Sequence, residues 1–371
     1  MTNKNLYLDL NVLQTVPSSN INRDDTGAPK TALYGGVKRA RVSSQSWKKA
    51  MRDYFRDENI ESGIRTKKVA DLFEKKLKEL DNSLDDVSAV NKAKKFLFAV
   101  INPSKYTKEI KKKNPNFELP DALLFISPGQ IDKLADYALN HDKLDDKNVK
   151  KEIKQILKKD NSLDLALFGR MVATNPELNV DASAQVAHAI STHEIVPEHD
   201  YFTALDDLQS DDANGAAMLG TIEYDSATLY RYANINVKDL AKNLGNRDAI
   251  QSIIAFIKAF TLSMPTGKQN TFANKTLPNY IMVTLRPDTP VNLVSAFEEP
   301  VVTKGGFVKS SIQKLEDEYQ STNIMLEDPL LNVVLSRDGS GQLEKVTKLS
   351  DLLDRVSAAL TKVMQDEDTN D

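Results

Sequence analysis

The residues best placed to do chemistry are cations. Between Lys30 and Lys68 the chain carries eleven Lys or Arg against four acids (Asp53, Asp57, Glu58 and Glu61), a local charge of +7 in a protein of formal net charge −4. Such a block suits phosphate, because each cation that meets a phosphate releases a condensed counterion. Lys48, Arg52 and Arg56 recur every fourth residue, so on a helix they share a flank that Lys49 joins. Ser43 or Ser44 can cap that helix, and its first free amides and positive dipole end favour an anion. The competing reading is the solvated basic face of an amphipathic helix. A second basic excess, +4, spans Lys143 to Lys159, whereas Glu194 to Asp225 holds nine acids and no Lys or Arg.

Other constellations are weaker. PTGKQNTFA (265–273) sets Gly267, Lys268, Gln269, Asn270 and Thr271 in a loop between a helix and a strand. Glycine permits close backbone approach, and the polar side chains can reach phosphate or ribose. The segment lacks the G-x-x-x-x-G-K-[ST] pattern of a phosphate-binding P-loop. Asp24 and Asp25 follow Arg23 and precede a Gly-Ala-Pro turn. Adjacent carboxylates could hold a metal for RNA cleavage. Pairing with nearby arginines to order the loop is the blander account. His188, His193 and His199 form H-x4-H-x5-H, which is not the H-E-x-x-H metal helix, and His141 stands apart. We read His188 and His193 as structural or close to RNA. No serine sits in a G-x-S-x-G elbow. Cysteine is absent, which excludes disulfides and cysteine-ligated metals. No metal, cofactor or catalytic group is expected. Neither a signal peptide nor an apolar run of membrane length is visible, so a cytoplasmic, membrane-free protein is expected.

Elements must position these groups. Leu6, Leu8, Leu10 and Val12 alternate as in a strand. Residues 15–30 are rich in turn formers and read as a long loop. Leu33 to Val42, broken at Gly35-Gly36, reads as a short hairpin. In the next helix Trp47, Ala50, Met51, Tyr54 and Phe55 form an apolar stripe. Residues 61–180 are Lys-rich and mainly helical, as in Asn91–Ile101 and Asn148–Lys159, with turns at INPSK and KNPNFELP. Residues 194–225, with the DANGAA turn, read as a protruding loop or hairpin. Leu229–Asn236 and Asn279–Leu285 read as strands, and Ile250, Ile253, Ile254 and Ile257 as a helix stripe. A last helix near Asp351–Gln365 buries Leu352, Leu353, Val356, Leu360 and Val363. The tail QDEDTND is acidic and reads as disordered. The alternation of strands and helices suits an α+β, ferredoxin-like βαββαβ sheet, the topology of RNA-recognition modules.

Several stretches together resemble the Cascade backbone subunit of type I-E CRISPR systems, the CasC family. They are NINRDD (20–25), YGGVKRARVSSQSWKKAMR (34–52), GRM (169–171), QVAHAISTHEI (185–195), DYFTALDDL (200–208), LGTIEYDSATLYRYANINVKDLAKNLG (219–245), PTGKQNTFA and the AFEEPV run from Ala296. The match is weakest over about 60–160 and the C-terminal quarter. The resemblance implies a right-hand shape: a modified RRM-like palm (1–60, 182–193 and 226–371), helical fingers (61–181) and a thumb hairpin (194–225). It implies a non-catalytic protein that lines up in several copies, usually six, along the spacer of a CRISPR RNA. Each thumb flips one nucleotide out, leaving the rest open to pair with target DNA, in the service of antiviral defence. Implied partners are the guide RNA, target DNA, copies of itself and the large, small, tail and RNA-processing subunits. Implied RNA contacts are Arg23, Lys30, Ser43, Ser44, Gln45, Lys48, Lys49, Arg52, Lys268, Gln269, Asn270 and Thr271, with Met171 as a wedge and Tyr201 and Phe202 as thumb aromatics. Buried core packing is the alternative for Met171. Lys147, Lys150, Lys151 and Lys154 are candidate DNA contacts or a plain solvated flank. The acidic thumb, through Asp206 and Asp207, could dock on a basic surface of the next copy. The alternatives kept open are a metal-dependent ribonuclease using Asp24 and Asp25, as in related type III backbone subunits, and a general single-stranded RNA binder.

Overall fold

The computed structural model of the protein describes residues 5–101, 123–141, 147–173, 175–204, 218–337 and 339–368. It begins with β1 (Tyr7–Ser19), the hairpin β2 (Thr31–Tyr34) and β3 (Val37–Val42), and helix α1 (Ser44–Asp57). Next come β4 (Ile64–Thr66), α2 (Val69–Leu80), α3 (Asp86–Ile101), β5 (Leu124–Ile126), α4 (Pro128–Asn140), α5 (Lys147–Lys158) and α6 (Leu163–Phe168). Strands β6 (Ala184–Val186), β7 (Ala189–Ser191), β8 (Glu198–Ala204) and β9 (Met218–Asn236) precede α7 (Val237–Leu244), α8 (Asn246–Leu262) and the short α9 (Gln269–Phe272). β10 (Tyr280–Arg286), α10 (Val308–Asn323), β11 (Leu331–Ser336), β12 (Lys345–Val346) and α11 (Leu349–Asp368) follow.

The chain divides into two units, one gathering Met1–Tyr54, Gln185–Asn236 and Ile253–Asp371, the other Phe55–Ala184 and Val237–Ser252. The first is built on one sheet in the order β12-β11-β10-β1-β9-β7-β3-β2. Taken in chain order, β1, α1, β7, β9, α8 and β10 make a βαββαβ unit whose strands lie β10-β1-β9-β7. These neighbours are antiparallel, which is the ferredoxin-like arrangement. The Gly35-Gly36 turn between β2 and β3 has φ of +58° and +79°, the left-handed pair that a tight hairpin needs.

Strand alternation in β1 does not produce an exposed face, because both faces are covered. Leu8 through Gln14 are all buried. On one face Leu13, Tyr230, Tyr232 and Met282 pack with Ile312, Leu315 and Tyr319 of α10. There the polar members of β1 find partners: Tyr230 Oη donates to Asn11 and Tyr232 Oη to Asp9, each at 2.7 Å. On the other face Val16, Ala40, Val42, Trp47, Leu229 and Met264 form a cluster. Arg231 is buried beside it, its guanidinium 3.7 Å from the Trp47 ring centre and 4.3 Å from that of Phe260. A desolvated cation between two rings adds about 2 kcal/mol per contact, so Arg231 holds α1 and α8 to one side of the sheet.

Several expectations are corrected. Residues 15–19 belong to β1, and the loop is shorter. The pairing of Val16 with Ala227 jumps to Ser19 with Asp225, so a bulge takes up Pro17 and Ser18 and the ladder survives a turn-like sequence. In α8 the buried apolar residues are Ala249, Ile253, Phe256, Ile257, Ala259 and Phe260, with Ile250 and Ile254 half-buried. In α11 Met364 is buried where Val363 was expected, and the helix runs through Asp368 into the acidic tail. PTGKQNTFA is not all loop, since Gln269–Phe272 makes one helical turn between left-handed Lys268 and Ala273.

The second unit has its own core, including Phe73, Leu77, Phe96, Leu134 and Ile153. The buried Arg170 guanidinium donates to the carbonyls of Leu178 (2.9 Å) and Phe125 (3.2 Å), to Gln130 Oε1 (3.1 Å) and to the Leu157 carbonyl. Burial lowers its pKa to about 10. Apart from Ile101, the last residue of α3, the INPSK, KNPNFELP and DANGAA turns fall outside the described residues.

Candidate nucleic-acid interface

The loop after β1 is fixed by its own polar groups. Asn20 Nδ2 donates to the carbonyls of Gly27 and Glu223, both at 2.9 Å, tying the loop to β9. Asn22 is the hub. Its side-chain oxygen accepts from the Ser43 amide at 2.8 Å, and its carbonyl accepts from the Lys30 amide at 2.8 Å. Asp24 Oδ1 accepts from the Thr26 amide (2.9 Å), the Thr26 hydroxyl (2.7 Å) and the Ala28 amide (3.1 Å). These donors, the Thr26 hydroxyl first, hold its carboxyl below the usual range. Asp24 therefore orders the loop through Thr26 and Ala28 rather than through arginines. Asp25 and Arg23 are exposed.

Two further segments reach the same place. Ser43 precedes α1, and its carbonyl and hydroxyl both accept from the Ser46 amide, so it is the N-cap. Ser43 and Ser44 are buried and Gln45 is exposed. Gly267 lies against the Ile21 backbone, where a Cβ would stand 2.3 Å from the Ile21 carbonyl oxygen. Only glycine permits that approach. Phe272 tilts against Tyr224 of β9, ring centres 5.7 Å apart. The fold thus joins Arg23, Lys30, the start of α1 and Lys268–Thr271 in one region of the first unit. Lys268 and Gln269 are half-buried, and Asn270 and Thr271 are exposed.

The row of cations on α1 is less free than its spacing implies. Lys48 and Arg52 are half-buried, and burial lowers the Lys48 pKa. Lys49 is exposed and bonds to Asp53 at 2.6 Å. Arg39 is fully buried and donates to the carbonyls of Tyr34, Ser191 and Phe297, which removes it from the charge available to a ligand. Arg41, not singled out from the sequence, is half-buried, with Nη1 3.1 Å from His188 Nδ1. That geometry makes Nδ1 the acceptor. Burial, then the nearby Arg41 and Lys30 charges, depress the His188 pKa. His193 is structural. It stacks on Phe307 at 3.6 Å, Nε2 accepts from the Thr228 amide at 3.1 Å, and Nδ1 donates to the Glu194 carbonyl at 2.7 Å. Burial lowers its pKa. His141 stacks on Tyr137 in the second unit, and His199 is exposed on β8.

Strand β8 pairs with β9 from Glu198↔Tyr224 to Ala204↔Met218. The aromatic pair on it splits, because neighbours in a strand face opposite ways. Tyr201 is 64% exposed, whereas Phe202 is half-buried and covers Gly220, whose absent Cβ would lie 2.3 Å from the ring. Asp206 and Asp207 lie outside the described residues. Met171 is 81% exposed, so it is not a core methionine. On α5, Lys151 is exposed and Lys154 forms an ion pair with Glu177; the side chains of Lys147 and Lys150 lie outside the described residues. Among the described residues no group of His, Cys, Asp or Glu is arranged to hold a metal, and no helix is long and apolar enough to cross a membrane.

Sheet order and strand direction define an α+β protein on a ferredoxin-like sheet, with a glycine-dependent loop cluster beside one face of that sheet. The chain belongs to the CT1975-like protein family, which it matches over residues 8–361. It is similar to a solved chain of a "CRISPR RNA-guided surveillance complex, pre-nicking", with 31% identity, a TM-score of 0.83 and coverage of 95% of this chain and all of that one. A chain of a second "CRISPR RNA-guided surveillance complex" shares 25% identity over 95% of this chain and 99% of that one, with a TM-score of 0.63. No curated protein sequence matches.

Proposed function

We propose that the protein is the CRISPR RNA-binding backbone subunit of a Cascade-type surveillance complex, of the type I-E class, and that it works by assembly rather than catalysis. Copies line up along the guide, shield it and hold it open for target DNA. In such complexes base pairing reads sequence, and the protein reads backbone and shape. The observation that carries this reading is that two remote segments meet NINRDD at Ile21–Asn22: the Ser43 amide at the start of α1 donates to the Asn22 side-chain oxygen, and Gly267 of PTGKQNTFA lies against the Ile21 backbone. The likeness to chains of RNA-guided surveillance complexes supports it. The first sheet serves as palm, residues 61–181 as fingers and 194–225 as thumb, with the β8–β9 ladder as the base of the thumb. The cytoplasm is its compartment. The large, small, tail and RNA-processing subunits are its partners.

The ribonuclease reading gains little from Asp24, because one of its oxygens already holds the loop together. The test is a footprint of CRISPR RNA incubated with the protein and magnesium. Protection at a fixed interval on intact RNA supports the backbone reading. Regular cuts that vanish in Asp24→Ala or Asp25→Ala overturn it in favour of a nuclease, and irregular protection leaves a generic RNA binder.

A further inference from the structure

Asp225 is a carboxylate where the fold has no use for one. On β9, Asp225, Ala227 and Leu229 share a face by alternation. Ala227 and Leu229 are buried in the cluster with Val16, Ala40, Val42 and Trp47. Asp225 continues that apolar row, is only 7% exposed, and its Oδ2 has no hydrogen-bond partner. It sits opposite Ser19, immediately past the bulge in β1, a feature that often re-aims side chains beside functional sites. Burial, reinforced by Glu223, raises its pKa to about 6. A buried, unpaired acceptor is costly and calls for a donor.

The surroundings indicate the donor's chemistry. Asp225 lines a narrow cleft with Ser19, Asn22, Lys30 and Arg41. Lys30 and Arg41 are half-buried and stand closer to solvent than Asp225. The cleft admits a group of roughly one water's size. Cations at the mouth suit a phosphate, and an acceptor-only carboxylate within suits a small donor linked to that phosphate. In a nucleic acid that donor is the ribose 2′-hydroxyl, the group that distinguishes RNA from DNA. We infer that Asp225 accepts the 2′-hydroxyl of a ribose whose phosphate lies toward Lys30 and Arg41, and that it makes the protein prefer RNA to DNA. The inference rests on the RNA-binding reading above and adds a specificity-determining residue to it.

The test compares affinities for single-stranded RNA and DNA of one sequence, at fixed salt and neutral pH, for wild type, Asp225→Ala and Asp225→Val. Valine extends the apolar row, so it supplies a folded variant if alanine does not. Wild type should prefer RNA, and both substitutions should lower the RNA-to-DNA affinity ratio about tenfold, mainly by weakening RNA. An unchanged ratio in a folded variant overturns the inference, as do equal losses on RNA and DNA. A wild type that prefers RNA beside variants that keep the preference refutes this assignment alone. A wild type that binds no RNA refutes the RNA-binding reading as well.

Discussion

Gly267→Ala gives a sharp test of the loop cluster. The added Cβ would stand 2.3 Å from the Ile21 carbonyl oxygen, 2.7 Å from its carbonyl carbon and 3.0 Å from its Cα. All three are backbone atoms, so no side chain can turn away. Relief to an ordinary contact needs a shift of about 1 Å. Overpacking of this kind costs about 1–3 kcal/mol. Ile21 adjoins Asn22, which holds both the Ser43 and Lys30 amides. The shift therefore also disturbs the proposed phosphate contacts, and RNA affinity should fall about tenfold, equivalent to about 1.4 kcal/mol. Gly305→Ala is the control, since a Cβ there meets nothing within 4 Å and no positive φ is required. Its stability should stay within about 0.5 kcal/mol of wild type. Urea unfolding and RNA titration of the two variants decide the matter. If Gly267→Ala is no less stable and binds no worse than Gly305→Ala, the account of the cluster is wrong.

Arg23→Ala and Lys268→Ala should each weaken RNA binding for every sequence tested and reduce the slope of log affinity against log salt by about 0.7. Unchanged slopes would remove these residues from the interface. Arg170→Met removes the guanidinium donors to the Leu178 and Phe125 carbonyls and leaves the Leu157 carbonyl to Gln130 Nε2 alone. At about 1–3 kcal/mol for each unsatisfied carbonyl it should cost about 2–6 kcal/mol, read as faster amide hydrogen exchange within residues 123–173; a loss below about 1 kcal/mol would contradict the role given to Arg170. His193 is a base whose folded pKa lies below the usual 6.5. The unfolded chain therefore takes up the proton first, and stability is lost as pH falls from 6.5 toward the folded pKa. Urea midpoints at neutral and mildly acidic pH should show that loss in wild type and a smaller one in His193→Gln, and equal losses would refute the assignment.

The parts of the fold that were legible rest on local signals. The α1 stripe obeys helical spacing, with Trp47, Ala50, Met51 and Phe55 buried as expected and Tyr54 half-buried. Gly35-Gly36 marks the hairpin because only glycine sits easily at two successive positive φ values. The misread parts depend on partners remote in sequence. Pro17 and the serines beside it look like a loop, yet nineteen residues of β9 impose a strand with a bulge. Charge counting included Arg39 with the phosphate-seeking cations, although three carbonyls bury it. Arg23 is proposed as a contact through motif resemblance alone, whereas Lys30 and the PTGKQNTFA loop also carry a signal in their own charge and residue types. Asn22 carried no chemical signal of its own, because its importance comes from the amides of Ser43 and Lys30. Asp225 was hidden among nine acids, and among the described ones only burial separates it from Glu194, Glu198, Asp200 and Glu223.

The central claim, that copies of this chain line up along a guide, is tested most directly by native mass spectrometry of assemblies on CRISPR RNAs of graded spacer length. The account predicts that copy number rises by one for each fixed increment of spacer. A copy number that does not follow spacer length, or a continuous spread of stoichiometries, would contradict it.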